Sequence, residues 1–285
     1  MTDKKVSIIL PVYNGEALVS ESINSIIRQT YQNWELIIVN DCSTDKTLQV
    51  CEDIAKSDQR IKVFSNDRNL KLPGTLNAGF SHATGDYYTW TSDDNMYRPY
   101  AIEKMVSVLE GNTNAVMVYA NYTNIDAASN EIGPVGLQEP EFIVTGNVCG
   151  ACFLYTSEAA AKVGEYDTGL FLAEDYDYWL RMYLFGKLIH LKEDLYLYRR
   201  HGQSLTETRK SSVNEQTYKA LEKNFEGLYP ASKASGLTDA FFDQMLVRGE
   251  AHYRETLRML LKVNGKYRYH LLKQKIYKVK ERLFH

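Results

Sequence analysis

No long apolar run occurs in this 285-residue chain. The first apolar stretch, Val6 to Val12, leads straight into the turn-like Tyr13-Asn14-Gly15 and is too short for a membrane span. No secretory signal is evident either, so a cytoplasmic location is expected. Strong net charge is also missing: the formal value is −3, which argues against a general nucleic-acid binder. Cysteine is scarce, and Cys42, Cys51, Cys149 and Cys152 read as free thiols in such a compartment. Cys149-Gly-Ala-Cys152 has metal-knuckle spacing but no second pair, and it runs into Phe153-Leu154-Tyr155, which favours a buried strand. Two phosphate-cradling motifs are absent as well. The first strand-to-helix turn reads Pro-Val-Tyr-Asn-Gly-Glu in place of Gly-x-Gly-x-x-Gly, and there is no Walker lysine motif. An NAD-dependent oxidoreductase is thereby disfavoured, although Asp41 follows the second strand where such folds place a ribose-binding acid.

What is present is the composition of a soluble globular protein, 44% hydrophobic and 24% charged, long enough for one large domain or two. Val6 to Asn14 is a nearly continuous apolar run, as expected of a strand buried on both faces of a parallel sheet. Val19, Ile23, Ile26 and Ile27 then recur at helical spacing. Strands are predicted at 34–39, 61–64, 87–91 and 115–122. Helices are predicted between them, striped by Leu48, Cys51, Ile54 and Ala55, by residues 75–83, and by Ile102, Met105, Val106 and Leu109. Such alternation implies right-handed βαβ units and a mainly parallel sheet flanked by helices.

Ligands of these sheets bind beyond the carboxyl ends of the strands. Three polar clusters fall there: Pro11-Val-Tyr13-Asn14, Asn40-Asp41-Cys42-Ser43 and Ser92-Asp93-Asp94-Asn95. Each alone is ordinary turn chemistry; together they describe one crevice with two acidic corners. Adjacent carboxylates such as Asp93 and Asp94 repel each other unless a cation intervenes. Hard divalent ions commonly combine one or two carboxylates with substrate phosphates, so a metal–diphosphate site is one reading and a solvated acidic turn the other. With no glycine-rich cradle, a bound diphosphate would also need a loop cation. Lys71 in the loop after the third strand serves as that cation or is simply a solvated lysine.

Beyond residue 123 the pattern changes. Residues 127–136 are turn-rich, and shorter strands are expected at 141–145 and 149–156. Ser157 reads as the N-cap of a helix over 158–163, which Gly164 stops. Trp179, Leu180, Tyr183 and Leu184 stripe another helix, with Glu174 and Asp175 at its start. Acids there suit the helix dipole; alternatively one is a general base, which the dipole keeps ionised. Strands are expected at 188–191 and 195–198, followed by a cationic loop from Arg199 to Ser204. In that loop His201 is either a further metal ligand or polar surface. The rest is mostly helical, and residues 254–285 carry ten Lys and Arg against two acids. That basic, striped segment reads as a docked helix or as a surface for an anionic membrane.

Taken in order, these stretches resemble the family 2 glycosyltransferases and their GT-A nucleotide-sugar-binding fold. The matching stretches are residues 6–14 and 25–41, Ser-Thr-Asp at 43–45, Asn-Ala-Gly at 77–79, Ala-Thr-Gly-Asp at 83–86, Ser-Asp-Asp at 92–94 and Glu-Asp at 174–175. The resemblance is nearest the subgroup that includes the sporulation glycosyltransferase of bacilli. It implies a GT-A catalytic domain over 1–205 and a helical, basic region over 206–285. It also implies that Pro11 and Tyr13 line the nucleoside pocket, with Tyr13 against the base, that Asp41 accepts the uracil N–H, and that Lys71 lies near the nucleotide. Asp94 is the implied ligand of Mn²⁺ or Mg²⁺, with Asp93 near ribose or metal. Asp175 is the implied base, with Glu174 beside it. Many relatives carry Asp-Asp-Gly where this chain has Asn40-Asp41-Cys42. The Gln-x-x-Arg-Trp motif and membrane helices of processive synthases are absent. The implied reaction is inverting transfer of one sugar from a UDP-sugar to a glycan or lipid-linked acceptor hydroxyl, in bacterial surface polysaccharide or glycoconjugate synthesis. The alternatives are transfer to a polyprenyl phosphate and a non-catalytic nucleotide- or glycan-binding module.

Overall fold

The central strand of the sheet is the most apolar stretch of the chain. In the computed structural model, which describes residues 4–200 and 209–263, Val6–Val12 forms β1, parallel to β2 (Trp34–Asn40) on one side and to β4 (Tyr87–Trp90) on the other. The strand β3 (Ile61–Ser65) extends the parallel set beyond β2. Side chains alternate across β1: Ile8 and Leu10 join one core layer and Ile9 the other. Pro11 is tolerated in a central strand because pairing with β4 ends at Ile9 and Trp90, so its missing N–H breaks no ladder there. The sheet opens at that point.

Helices α1 (Val19–Ile27), α2 (Thr47–Ala55) and α4 (Ala101–Gly111) follow their strands, and α3 (Lys71–Phe80) covers the opposite face. Gly79 lets α3 lie close on the sheet; a Cβ there would stand 2.4 Å from Ile9 Cγ2. Past β4 the sheet becomes mixed. The full order is β3-β2-β1-β4-β8-β6-β9-β5, with β7 paired to β6. In it β5 is Met96–Tyr97, β6 Ala115–Ile125, β7 Glu131–Val135, β8 Cys152–Thr156 and β9 Lys187–Arg199. The mainly parallel arrangement thus holds for the first half, and antiparallel β8 joins it to the parallel pair β6 and β9.

Several boundaries differ from expectation. Residues 140–145 form a 3₁₀ turn led by Pro140, not a strand. The two strands expected at 188–191 and 195–198 are one, because β9 absorbs the polar residues between them through register shifts against β6. Helix α5 (Ser157–Val163) is capped one residue earlier than expected, by Thr156, whose Oγ1 accepts from Ala159 N–H. Gly164, at φ +84°, ends it. All four cysteines are free thiols.

The last described helices are α6 (Glu174–Phe185), α7 (Lys210–Lys223), α8 (Phe225–Ala234), α9 (Thr238–Arg248) and α10 (Tyr253–Val263). They share one core. Tyr176, Trp179 and Met182 of α6 pack in the same cluster as Tyr218, Leu221, Phe225, Phe241 and Met245. Fully buried Asp177 joins them electrostatically, through Arg181 Nε at 2.9 Å, Lys223 Nζ at 3.1 Å and Asn224 Nδ2 at 2.9 Å. The proposed boundary at 205, His201 and most of the basic segment after Val263 lie outside the described residues. Among the described residues no helix is long and apolar enough to cross a membrane.

Candidate active site

A cleft of about 970 Å³ opens where the carboxyl ends of β1, β2 and β4 face the start of α6. Pro11, Tyr13, Asp41, Lys71, Asp93, Asp94, Glu174 and Asp175 all line it. Residues spread over most of the described chain therefore meet on one concave surface; His201 cannot be placed among them.

At the β2 end, Asp41 is buried and anchored by one oxygen. Its Oδ1 accepts from Leu70 N–H at 2.7 Å and from Asn66 Nδ2 at 2.8 Å. Its Oδ2 has no hydrogen-bond partner among the described residues and remains for a ligand. Lys71 is not in a loop: it opens α3, at φ +59°, with its ammonium 5.3 Å from the centre of the Phe171 ring. Backbone strain concentrates here. Of the five non-glycine residues with positive φ among the described residues, Asn14, Cys42, Lys71 and Leu172 line the cleft or adjoin residues that do. Tyr13 stands half exposed at the mouth.

The turn that carries Asp93 and Asp94 is fixed from below. Ser22 Oγ donates to Ser92 O at 2.9 Å, and Arg199 Nε donates to Asp94 O at 2.8 Å. Arg199 N–H also donates to buried Asn95 Oδ1 at 2.8 Å. Arg199 was expected in a cationic loop. Instead it ends β9, is 1% exposed, and its Nη2 reaches Glu21 at 2.7 Å while its Nη1 donates to Asp126 O and Ala127 O. It is the positioning residue of the acidic turn, and the sequence reading missed it. On the cleft side, a Cβ on Gly15 would stand 2.1 Å from Asp93 Oδ2, so the absent side chain leaves room for that carboxylate. Among the described residues no third His, Cys, Asp or Glu completes a metal cluster. Two adjacent carboxylates in an open cleft nonetheless fit a divalent ion that takes its other oxygens from a diphosphate and water.

The second acidic pair sits opposite. Burial raises the Glu174 carboxyl to about 8, helped by the charge of Asp175, although Leu172 N–H donates to its Oε2 at 2.6 Å. Burial also raises Asp175, against hydrogen bonds from Tyr176 N–H at 2.7 Å and Asn147 Nδ2 at 2.8 Å. The helix start was expected to keep these acids ionised; desolvation outweighs it. Near neutral pH Glu174 keeps its proton, and burial disfavours a charge on Asp175 as well. A carboxylate oriented by an amide and raised by burial has the properties of a general base. Asn147, like Arg199, was not singled out by the sequence.

A twisted α/β sheet whose strand ends carry an acidic turn opposite a second acid pair is the GT-A glycosyltransferase fold. Residues 7–164 match the family profile described as Glycosyl transferase family 2. A glycosyltransferase of Haemophilus influenzae is 34% identical over 236 residues, covering 77% of this chain and 72% of that one. The chain belongs to glycosyl transferase family 2. Among solved structures, Staphylococcus aureus TarS 1-349 in complex with UDP-GlcNAc superposes with a TM-score of 0.73 at 15% identity, over 92% of this chain and 82% of that one. In a longer TarS structure the match spans 43% of the TarS chain. The mannosyltransferase PcManGT from Pyrobaculum calidifontis, in complex with GDP-Man and Mn²⁺, gives 0.65 at 14% identity, over 97% of this chain and 81% of that one.

Proposed function

We propose that this glycosyltransferase moves a single sugar from a UDP-sugar to an acceptor hydroxyl with inversion at the anomeric carbon, in the synthesis of a bacterial surface polysaccharide or glycoconjugate. The observation that carries this reading is the convergence of Asp41, the Asp93–Asp94 turn and the Glu174–Asp175 pair on one cleft. Asp41 Oδ2 accepts the uracil ring N–H, Pro11 and Tyr13 line the nucleoside, and Lys71 lies by the diphosphate. TarS, which binds UDP-GlcNAc, supports a uridine donor; PcManGT, which binds GDP-Man, makes guanosine the competitor to exclude. Asp94, with Asp93, would hold Mn²⁺ or Mg²⁺, whose charge offsets that of the departing diphosphate. On the other wall, Asn147 holds the Asp175 carboxylate in one orientation. Asp175 takes the acceptor proton as the oxygen attacks, and protonated Glu174 keeps a second charge away from it. Residues 1–205 supply this machinery in our reading, and the regions about 123–150 and 202–250 recognise the acceptor.

Two measurements test this. Calorimetric titration with Mn²⁺ should give binding of UDP and much weaker binding of GDP; equal binding of the two would remove the role given to Asp41. Asp175→Asn should lower transfer by about 10³-fold while UDP affinity stays within about twofold. A variant that remained active would point to an acceptor that is already ionised, such as a polyprenyl phosphate.

A further inference from the structure

The far wall of the cleft carries cations for which the reaction above gives no task. Arg209, Val213, Thr217 and Arg248 line it from the segment that opens α7, from α7 itself and from the end of α9. Two of the four are arginines and none is acidic. Arg248 is held by neutral oxygens: its Nε donates to Gln244 Oε1 at 3.2 Å and its Nη1 to Asn214 Oδ1 at 3.1 Å. Its Nη2 points past Gly146, 3.8 Å from where a Cβ would stand. Gly146 adjoins Asn147, whose amide holds Asp175. The guanidinium therefore sits one residue away from the group that orients the base.

These arginines do not neutralise the acid pair. Glu174 accepts from Leu172, and Asp175 from Asn147 and Tyr176. Among the described residues neither Arg209 nor Arg248 is in an ion pair. An arginine fixed by amide oxygens in a cleft keeps its charge and its forked donors for a ligand, and that fork matches phosphate and carboxylate. The donor diphosphate belongs at the other wall, beside Lys71 and the Asp93–Asp94 turn.

We propose that Arg248, with Arg209, binds an anionic group on the acceptor, a phosphate or a carboxylate next to the hydroxyl that Asp175 deprotonates. This rests on the glycosyl-transfer reading of the same cleft. The anionic group itself is unchanged in the reaction. The hydroxyl proton passes to Asp175, the new bond forms between the hydroxyl oxygen and the anomeric carbon, and the bond from that carbon to the diphosphate breaks with its electrons leaving on UDP. Acceptors that lack the anion are poor substrates.

The test uses the full chain with saturating UDP and Mn²⁺, titrated with glycerol 3-phosphate, glucuronate and glycerol. Glycerol 3-phosphate or glucuronate should bind where glycerol does not, and which of the two binds tells phosphate from carboxylate. Arg248→Gln should weaken that binding by about tenfold or more and leave UDP affinity within about twofold. Should that variant misfold by circular dichroism, Arg209→Gln carries the same expectation. Binding of both anions no tighter than glycerol, or an unchanged affinity in the variant, overturns the proposal. A loss of UDP affinity in Arg248→Gln also overturns it, by moving the arginine to the donor. Failure of UDP to bind the wild type refutes the uridine reading alone, and the same anions titrated without UDP still decide the role of the arginines.

Discussion

Two glutamates, both nearly excluded from solvent, sit at opposite ends of the sheet and are driven in opposite directions. Glu35, near the amino end of β2, is 2% exposed; Glu174, in the cleft, is 4% exposed. Burial pushes both up. At Glu35 burial is the largest single effect, but the Lys5 ammonium at 2.9 Å, the Ser7 hydroxyl at 2.8 Å and the N–H and hydroxyl of Thr84 at 2.8 Å together outweigh it and hold the carboxyl at about 2. Glu174 is met by backbone N–H groups without a cation and has an acidic neighbour, and rises to about 8. Depth does not decide the charge; the partners do. The amino end of the sheet satisfies its buried acid and gains stability. The carboxyl end leaves its acids under-satisfied, which is the arrangement proton transfer requires.

The sharpest way to break this contrast is to neutralise both glutamates. Glu35→Gln should lose about 2 kcal/mol of unfolding free energy at pH 7, since Lys5 and Lys62, whose Nζ lies 3.2 Å from Glu35 Oε2, then face no charge. A carboxyl lowered on folding stabilises above its unfolded value near 4.5 and loses that contribution as pH falls towards 2. The difference between Glu35→Gln and wild type, measured by urea denaturation, should therefore shrink on acidification. Glu174→Gln should behave in the opposite sense. A carboxyl raised on folding favours the native state below about 4.5, and that contribution fades as pH rises towards 8. Wild-type stability should fall by about 1 kcal/mol per pH unit across that window, whereas the variant loses this slope and is the more stable protein at pH 8. Its transfer rate at pH 7 should stay within about tenfold, because the amide replaces an already neutral acid. A steep slope retained in Glu174→Gln would assign the proton elsewhere. The smallest change sharpens the other acid pair. Gly15→Ala should displace the Asp93 carboxylate and weaken Mn²⁺-dependent UDP binding by about tenfold, with stability nearly unchanged; unaltered binding would free Asp93 from that role.

Legibility differed between the same two walls. The donor wall is local: an apolar run ends in a short polar cluster, three times over, so the strand ends and their acids could be read directly. The roles of those acids came from the ordered resemblance, not from spacing. The opposite wall could be read only as an Asp beside a Glu at a helix start. Its protonation depends on burial by helices far along the chain, and no periodicity reports that. Arg199 looked like surface charge because it adjoins Arg200, yet it crosses back to Asp94 and Glu21, contacts between residues more than one hundred positions apart. The short strands β5 and β7 were invisible for a similar reason: two to five residues hold no pattern until β9 and β6 supply the partner.

The placement of α6 between the sheet and the last helices also orders events in time. Chains leave the ribosome amino end first, and domains consolidate in that direction. The strand ends that face the donor are complete once β4 and its turn have emerged. Tyr176 and Trp179 share their core with Tyr218, Phe241 and Met245, which emerge later. The surroundings of Glu174 are therefore completed after the strand ends, so a nascent chain forms one wall of the cleft before the other.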